Sequence, residues 1–334
     1  MKAIVIEGIN QPLLVKDVSI PLLEPGEALV RVQAASFNRR DWWIQQGKYA
    51  GLKHPITPGS DGAGTVEDIR GTDSERDTWL HKRVIINPSL HWTADSSFQP
   101  AEFKILGLPD DGTFAEYVKV PIPNLFAHPE HLNTHEAAAI PLAGLTAFRA
   151  VFKKGNLKKD EQVLITGIGG GVATFALQWA VNAGATVYVT SGQDSKIGAA
   201  IQLGAVGGTN YRSDDWHERL KAESGGFDLI IDSTLGNHFA HFPDLAKPGG
   251  RIVFFGGTAG NIPPLDGRKI FWKQLTIAGT TMGSAHDFAQ MLDFVNRHQI
   301  KPVIDSVHPL ENADTAIRKM GDSSQFGKIL LEIP

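Results

Sequence analysis

The chain has 334 residues, 42% of them hydrophobic, which is enough for two domains with a core in each. A formal net charge of −4 with no block of like charge offers no general attraction to nucleic acid or to an anionic membrane. The absence of cysteine excludes disulfides, thiol catalysis and every cysteine-based zinc or iron–sulfur site.

The start, Met1 to Glu7, reads as a short strand that reaches an acid too soon to be a signal-peptide core. No segment approaches the roughly 18 apolar residues that span a bilayer, so a cytoplasmic protein with no membrane partner is expected. Short extended runs punctuated by Pro and Gly follow: Ala28 to Ala35, Gly64 to Ile69, Arg83 to Asn87 and Phe114 to Val120. They predict a compact, mostly β domain. From about Leu125 the texture changes. A helix is predicted over His135 to Phe152, and then strands alternate with helices: Val163 to Thr166, Ala185 to Thr190, Leu229 to Asp232, Arg251 to Phe255 and Leu275 to Gly279. That alternation implies an α/β fold with a parallel sheet covered on both faces. Helices around Asp287 to His298 and Ala313 to Met320 and a strand from Lys328 to Ile333 complete the chain. Composition alone leaves open whether these last elements close the sheet or return to the first domain.

The most informative segment is Gly167-Ile168-Gly169-Gly170-Gly171, set between the apolar run Val163-Leu164-Ile165 and a helix beginning near Val172. Val172, Phe175, Ala176, Trp179, Ala180 and Ala183 recur at helical spacing, and Gly184 follows as a stop. Strand, glycine turn, helix and strand make a βαβ unit whose helix aims unpaired N–H groups and a positive dipole end at a pyrophosphate. The strict G-x-G-x-x-G string is absent, because Val172 takes the third glycine position and Ala173 follows it. A tight turn in a phosphate-free sheet is the alternative.

Several separated segments together carry a resemblance. They are Pro25-Gly26-Glu27 with Val30-Arg31-Val32, Asn38-Arg39-Arg40-Asp41, Pro58 to Gly64, Gly112 to Tyr117, Leu142 to Ala147, the glycine turn, and Phe326-Gly327-Lys328. In order and spacing the chain resembles the medium-chain dehydrogenase/reductase superfamily, and within it the zinc-free, quinone oxidoreductase-like branch. The resemblance implies a GroES-like β catalytic domain from residues 1–124, a Rossmann NADP-binding domain with a doubly wound parallel sheet over 125–281, and a return to the catalytic domain over 282–334. It also accounts for a turn one residue longer than in the zinc alcohol dehydrogenases.

Those enzymes hold a borderline-soft cation with thiolate and imidazole. By resemblance, Asn38 stands where the cysteine would be and Ser60 where the histidine would be. The stretch Asn87 to Pro109 lacks the four structural cysteines of zinc members. His238 and His241, three apart on a predicted helix face, lie in the other half of the chain. No metal is expected.

In NAD sites an acid about twenty residues past the first glycine binds the ribose hydroxyls. Here the second strand ends at Ser191, 24 positions past Gly167, and serine does not repel a 2′-phosphate. Lys196, Tyr211 and Arg212 are candidate donors to that phosphate, against the bland alternative of ordinary solvated groups. The cofactor expected is NADPH. The resemblance places Asn38, Trp43, Tyr49 and Asp61 beside the nicotinamide as the catalytic set, and puts Thr146, Gly256, Gly257, Phe271 and Thr281 on the cofactor with Gly167, Gly169, Gly170, Gly171 and Val172. Trp43 replaces a frequent tyrosine, and an indole N–H is no proton donor near neutral pH. That leaves Tyr49 as a candidate acid or a rim aromatic, Asn38 as a ligand-side group or a turn former, and Arg39 and Arg40 as surface charges or a greeting for an anionic substrate.

The function expected is NADPH-dependent hydride transfer to a quinone or activated alkene, by a homodimer as the resemblance implies. Enoyl-thioester reduction, alcohol dehydrogenase-like chemistry and an NADPH-binding scaffold with little turnover are the alternatives.

Overall fold

The computed structural model describes residues 1–92 and 97–334. The chain divides into two compact units, Met1–Leu145 with Gly283–Pro334, and Thr146–Met282. Among the described residues no helix is long and apolar enough to cross a membrane.

The first unit is built on a sheet in the order Ile304–Pro309, Lys328–Glu332, Glu27–Ser36, Asp61–Arg70, Arg83–Ile86 and Leu125–Ala127, with Tyr117–Pro121 also paired to Glu27–Ser36. The C-terminal strands thus return to the first domain, antiparallel to Glu27–Ser36. The alternating burial of Ala28, Val30 and Val32 supplies one wall of a core that Leu310, Ile317, Ile329 and Leu331 complete from the far end of the sequence. Where Glu27–Ser36 crosses Asp61–Arg70 the backbones come so close that a Cβ on Gly64 would lie 2.0 Å from the Arg31 carbonyl oxygen.

Residues 125–145, expected with the Rossmann domain, belong to this first unit. Leu125–Ala127 pairs with Arg83–Ile86, and Ala137, Ala138 and Ala139 cluster with Ala34 and Ala63 of the sheet. The single helix expected over His135 to Phe152 is three pieces: Thr134–Ala138, Pro141–Phe148, and a wider π turn over Arg149–Lys154. Asn133 and Glu136 cap the first reciprocally, and Pro141, lacking an N–H, opens the second.

The second unit is an all-parallel sheet in the order Gly207–Asn210, Thr186–Ser191, Gln162–Ile165, Phe227–Asp232, Ala246–Phe254, Thr276–Gly279. Its central strands are apolar on both faces, as a covered parallel sheet requires; Val163, Leu164 and Ile165 are all 0% exposed. The strand order reverses direction between Gln162–Ile165 and Phe227–Asp232, which puts a ligand crevice at their carboxyl ends.

Candidate functional site

In the first unit, the helix Arg39–Gln45 starts at Asn38, whose backbone N–H is taken by the Asp41 carboxylate at 2.7 Å. That bond is made by the Asn38 backbone; its side chain turns to a buried carboxylate and ammonium. Its Nδ2 donates to Asp61 Oδ2 at 2.8 Å, and its Oδ1 accepts from the Lys328 ammonium at 2.8 Å. Lys328 also donates to Asp61 Oδ2 at 2.9 Å and to the Phe37 carbonyl at 2.8 Å. Ser36 Oγ and the Leu142 N–H complete the shell around the fully buried Asp61 carboxylate. Asp61 is thus an anchor that organises Asn38, as a hydrogen-bonded buried ion pair does.

Lys328 was visible in the sequence only as part of a motif; no local signal ties it to a carboxylate 267 residues away. The sequence left Arg40 open between a surface charge and a greeting for an anionic substrate. Arg40 is 7% exposed rather than a surface charge, and its Nη1 donates to Ser60 Oγ at 2.6 Å and to the Leu106 carbonyl at 2.8 Å. Its Nε reaches the Tyr49 hydroxyl at 3.4 Å, with the guanidinium 5.1 Å from that ring's centre. Tyr49 and Trp43 are half-buried, and the Lys48 ammonium sits 5.6 Å from the centre of the Trp43 ring. Burial pushes the Asp41 carboxyl up to about 6, against the lowering pull of Arg40. Arg39 is half-buried and bonds Ser323.

The donor set does not suit zinc. Asn38 Oδ1 is held by an ammonium and Ser60 Oγ by a guanidinium, so a divalent cation there would face two positive charges. Among the described residues no group of three or more His, Asp and Glu side chains is arranged to hold a metal. His241 stacks on His217 with ring centres 3.8 Å apart, both against Trp216, and His238 packs on Tyr211. Burial lowers the pKa of both His238 and His241, so they are neutral packing groups at pH 7.

In the second unit the glycine turn leaves Gln162–Ile165 with Gly167 at φ +62° and Gly169 at φ +128°, a left-handed path open to glycine. The helix Gly171–Asn182 follows with Gly170 at its N-cap and no side chain on its first N–H groups, while Val172 is half-buried in its first turn. An anionic bridge fits such a helix start. Ser191 ends the neighbouring strand, buried, with its hydroxyl accepting the Gln193 N–H at 3.2 Å. Tyr211 and Arg212 fold over the next residue: a Cβ on Gly192 would lie 2.8 Å from Tyr211 Oη and 3.1 Å from Arg212 Nε. Lys196 is half-buried on the following helix, Asp194–Gln202. Gly256 and Gly257 follow the carboxyl end of Ala246–Phe254, with Gly256 against the Ser233 carbonyl, and exposed Thr281 follows that of Thr276–Gly279. Thr146 is buried, its hydroxyl directed at the Met282 sulfur.

Phe271 is not with them. Lys273 beside it donates to the Pro243 and Ala246 carbonyls and accepts the Gly249 N–H, all at the start of Ala246–Phe254. A segment that leads into a parallel strand must lie at the amino end of the sheet, so Phe271, 67% exposed, faces away from the ligand crevice. Asp232, by contrast, ends the Phe227–Asp232 strand at the crevice. It accepts from Thr166, Thr234 and Leu235, with burial raising its pKa, and nothing in the sequence marked it beyond an acid after an apolar strand.

Two family models match: "Alcohol dehydrogenase GroES-like domain" over residues 24–130 and "Zinc-binding dehydrogenase" over 171–297. The zinc-type alcohol dehydrogenase-like protein YogA of Leptosphaeria maculans is 37% identical over 96% of this chain and 95% of its own. An acryloyl-coenzyme A reductase of Sulfurisphaera tokodaii is 29% identical over 99% of this chain and all of its own. A crystal structure of an NAD-dependent alcohol dehydrogenase superposes with a TM-score of 0.91 at 33% identity, covering 100% of both chains. On that likeness along its full length, the chain belongs to the medium-chain dehydrogenase/reductase superfamily of oxidoreductases.

Proposed function

We propose that the protein is an NADPH-dependent oxidoreductase that passes a hydride to a quinone or activated alkene without a catalytic metal. The observation that carries it is the pair of cations, Lys328 and Arg40, on the two side chains that stand at the metal-ligand positions. An alcohol dehydrogenase uses its metal to draw charge from oxygen; here that work falls to fixed hydrogen-bond donors.

The nucleotide supplies the hydride when bound, and the second unit's residues bind and orient it. The open N–H groups at Gly171 and Val172 take the pyrophosphate, and Thr281, Gly256 and Gly257 stand at the same strand ends. Ser191, Tyr211, Arg212 and Lys196 suit an adenosine 2′-phosphate, with no acid at the strand end to repel it. In the first unit Asn38 is held rigid by Asp61 and Lys328, and the Tyr49 hydroxyl is available to return a proton.

Stopped-flow oxidation of NADPH against quinones and enones, run after exhaustive chelation, tests the proposal. Turnover that survives chelation and prefers NADPH to NADH is expected; loss of activity restored only by zinc overturns it. An enoyl thioester is the second acceptor class, favoured by the likeness to an acryloyl-coenzyme A reductase. The homodimer belongs to the same proposal: Thr276–Gly279 is an unpaired sheet edge beside exposed Phe271 and Trp272.

A further inference from the structure

Arg40 presents an unusual energetic situation. Its guanidinium is buried, yet among the described residues it makes no ion pair; the groups around it are the Ser60 hydroxyl, the Leu106 and Leu108 carbonyls and the Tyr49 hydroxyl. Carbonyl and hydroxyl dipoles solvate a cation but do not neutralise it, and a buried charge with no counter-ion in direct contact is costly. Arginine also cannot escape by losing its proton. The nearest carboxylate in sequence, Asp41, turns instead to the Asn38 N–H, with its other oxygen unpartnered.

The hydrogen-bond count agrees. Of five N–H donors on the side chain, two on Nη1 are taken at 2.6 and 2.8 Å, whereas Nε and Nη2 reach their partners only at 3.4 Å. The Nε–Nη2 edge is therefore the loosely held one, and it carries the Tyr49 hydroxyl beside it. One edge is anchored at short range, and the other is held only at 3.4 Å by the Tyr49 hydroxyl and the Leu108 carbonyl, partners that a charged or charge-developing oxygen would displace.

Resting on the function proposed above, we propose that Arg40 is the electrophilic catalytic residue of this enzyme, binding the acceptor's carbonyl oxygen through its Nε–Nη2 edge. As hydride adds to the β-carbon of the enone, the π pair of the C=C bond moves to form the C=C of an enolate and the carbonyl pair moves onto oxygen. The guanidinium meets that oxyanion, and protonation of the α-carbon from the Tyr49 hydroxyl or solvent completes the reduction. The balance is one enone, one NADPH and one proton to one saturated ketone and one NADP+. The place is the one where Ser60 would otherwise hold a metal, so a fixed organic cation does a Lewis acid's work.

The test uses full-length protein with the variants Arg40→Gln and Arg40→Lys. In the wild type, benzoate, a flat carboxylate probe, is expected to compete with the acceptor and not with NADPH. Arg40→Gln is expected to bind benzoate at least tenfold more weakly by calorimetry, bind NADPH as before, and lose about 100-fold or more in kcat/KM. Added ethylguanidine is expected to restore part of the activity lost in a third variant, Arg40→Ala, whose truncated side chain leaves room for it, and not in the wild type, a rescue that a structural role would not give. Arg40→Lys keeps the charge but not the fork, and is expected to fall between. Absence of competition by benzoate in the wild type, or a folded Arg40→Gln with unchanged benzoate affinity, overturns the assignment. Should Arg40→Gln not fold, the wild-type competition and the Arg40→Lys affinity decide. Failure of the wild type to oxidise NADPH with any acceptor sinks the function proposed above, whereas benzoate calorimetry still judges Arg40.

Discussion

At the scale of single residues, the buried ion pair and the buried acid respond differently to substitution. Lys328→Met leaves Asp61 charged and buried without its cation, and is expected to destabilise the first unit by about 3–5 kcal/mol. Adding Asp61→Asn should recover much of that in denaturant melts; no recovery would show that Lys328 acts by packing alone. Asp41 sets a pH dependence. Its carboxyl has an ordinary value of 3.8 and is pushed up to about 6 by burial, so the folded protein keeps a proton that the unfolded chain has lost. The stability tied to that proton is full below pH 4 and is lost as pH rises through 6. Asn at this position cannot titrate, so between pH 4 and 7 Asp41→Asn should gain up to about 3 kcal/mol relative to the wild type in chemical denaturation. A difference that stays constant with pH would refute this. Of these residues the sequence disclosed Asn38 and Asp61 through their motifs. It showed Lys328 and Arg40 as members of motifs, Arg40 as a surface charge or a greeting for an anionic substrate, but hid their burial and their partners, which are properties of the folded chain.

At the scale of elements, periodicity and glycine placement were dependable guides. The helix after the glycine turn runs Gly171–Asn182, and five of the six strands of the parallel sheet lie within a few residues of their expected places, while the sequence set no bounds for Gly207–Asn210. Two failures have clear causes. The long helix over His135 to Phe152 broke at Pro141 and widened at Arg149 because apolar spacing continues across a proline that hydrogen bonding cannot cross. Phe271 was misplaced because its segment is aromatic and precedes a strand, and only strand direction shows that it lies at the wrong end of the sheet. The turn after Ser191 offers a test of the cofactor assignment. Gly192→Ala puts a methyl against Tyr211 and Arg212, which must swing away. We expect NADPH affinity to fall about fivefold or more with stability changed by under about 1 kcal/mol, by fluorescence titration and thermal melts. Ser191→Asp should go further, turning preference toward NADH because a carboxylate meets the 2′-phosphate. NADPH affinity left unchanged by Ser191→Asp would show that the phosphate binds elsewhere.

For the whole molecule, the two-unit plan with a returning C-terminal segment was legible from the texture of the chain and its resemblance, whereas its first boundary was not. Residues 125–145 carry a strand, Leu125–Ala127, and helices from Thr134 onward, and they belong to the β sheet of the first unit, a fact of tertiary contact. Association is the prediction at this scale. Phe271→Asp with Trp272→Asp should convert a dimer to a monomer in analytical ultracentrifugation, and a dimer that persists would place the interface on another face. The sheet of the first unit has a further consequence for how the protein is made. Its interior strand Lys328–Glu332 follows Glu27–Ser36 by about 290 residues, so Glu27–Ser36 must wait for that much further synthesis before one of its neighbours exists. The Thr146–Met282 unit is uninterrupted in sequence and needs no such wait. Nascent chains stalled near residue 325, far enough to bring Met282 out of the exit tunnel but short of Lys328, should therefore carry a protease-resistant nucleotide half and a still-digestible first unit, so that acquisition of the coenzyme fold precedes completion of the chemistry it serves.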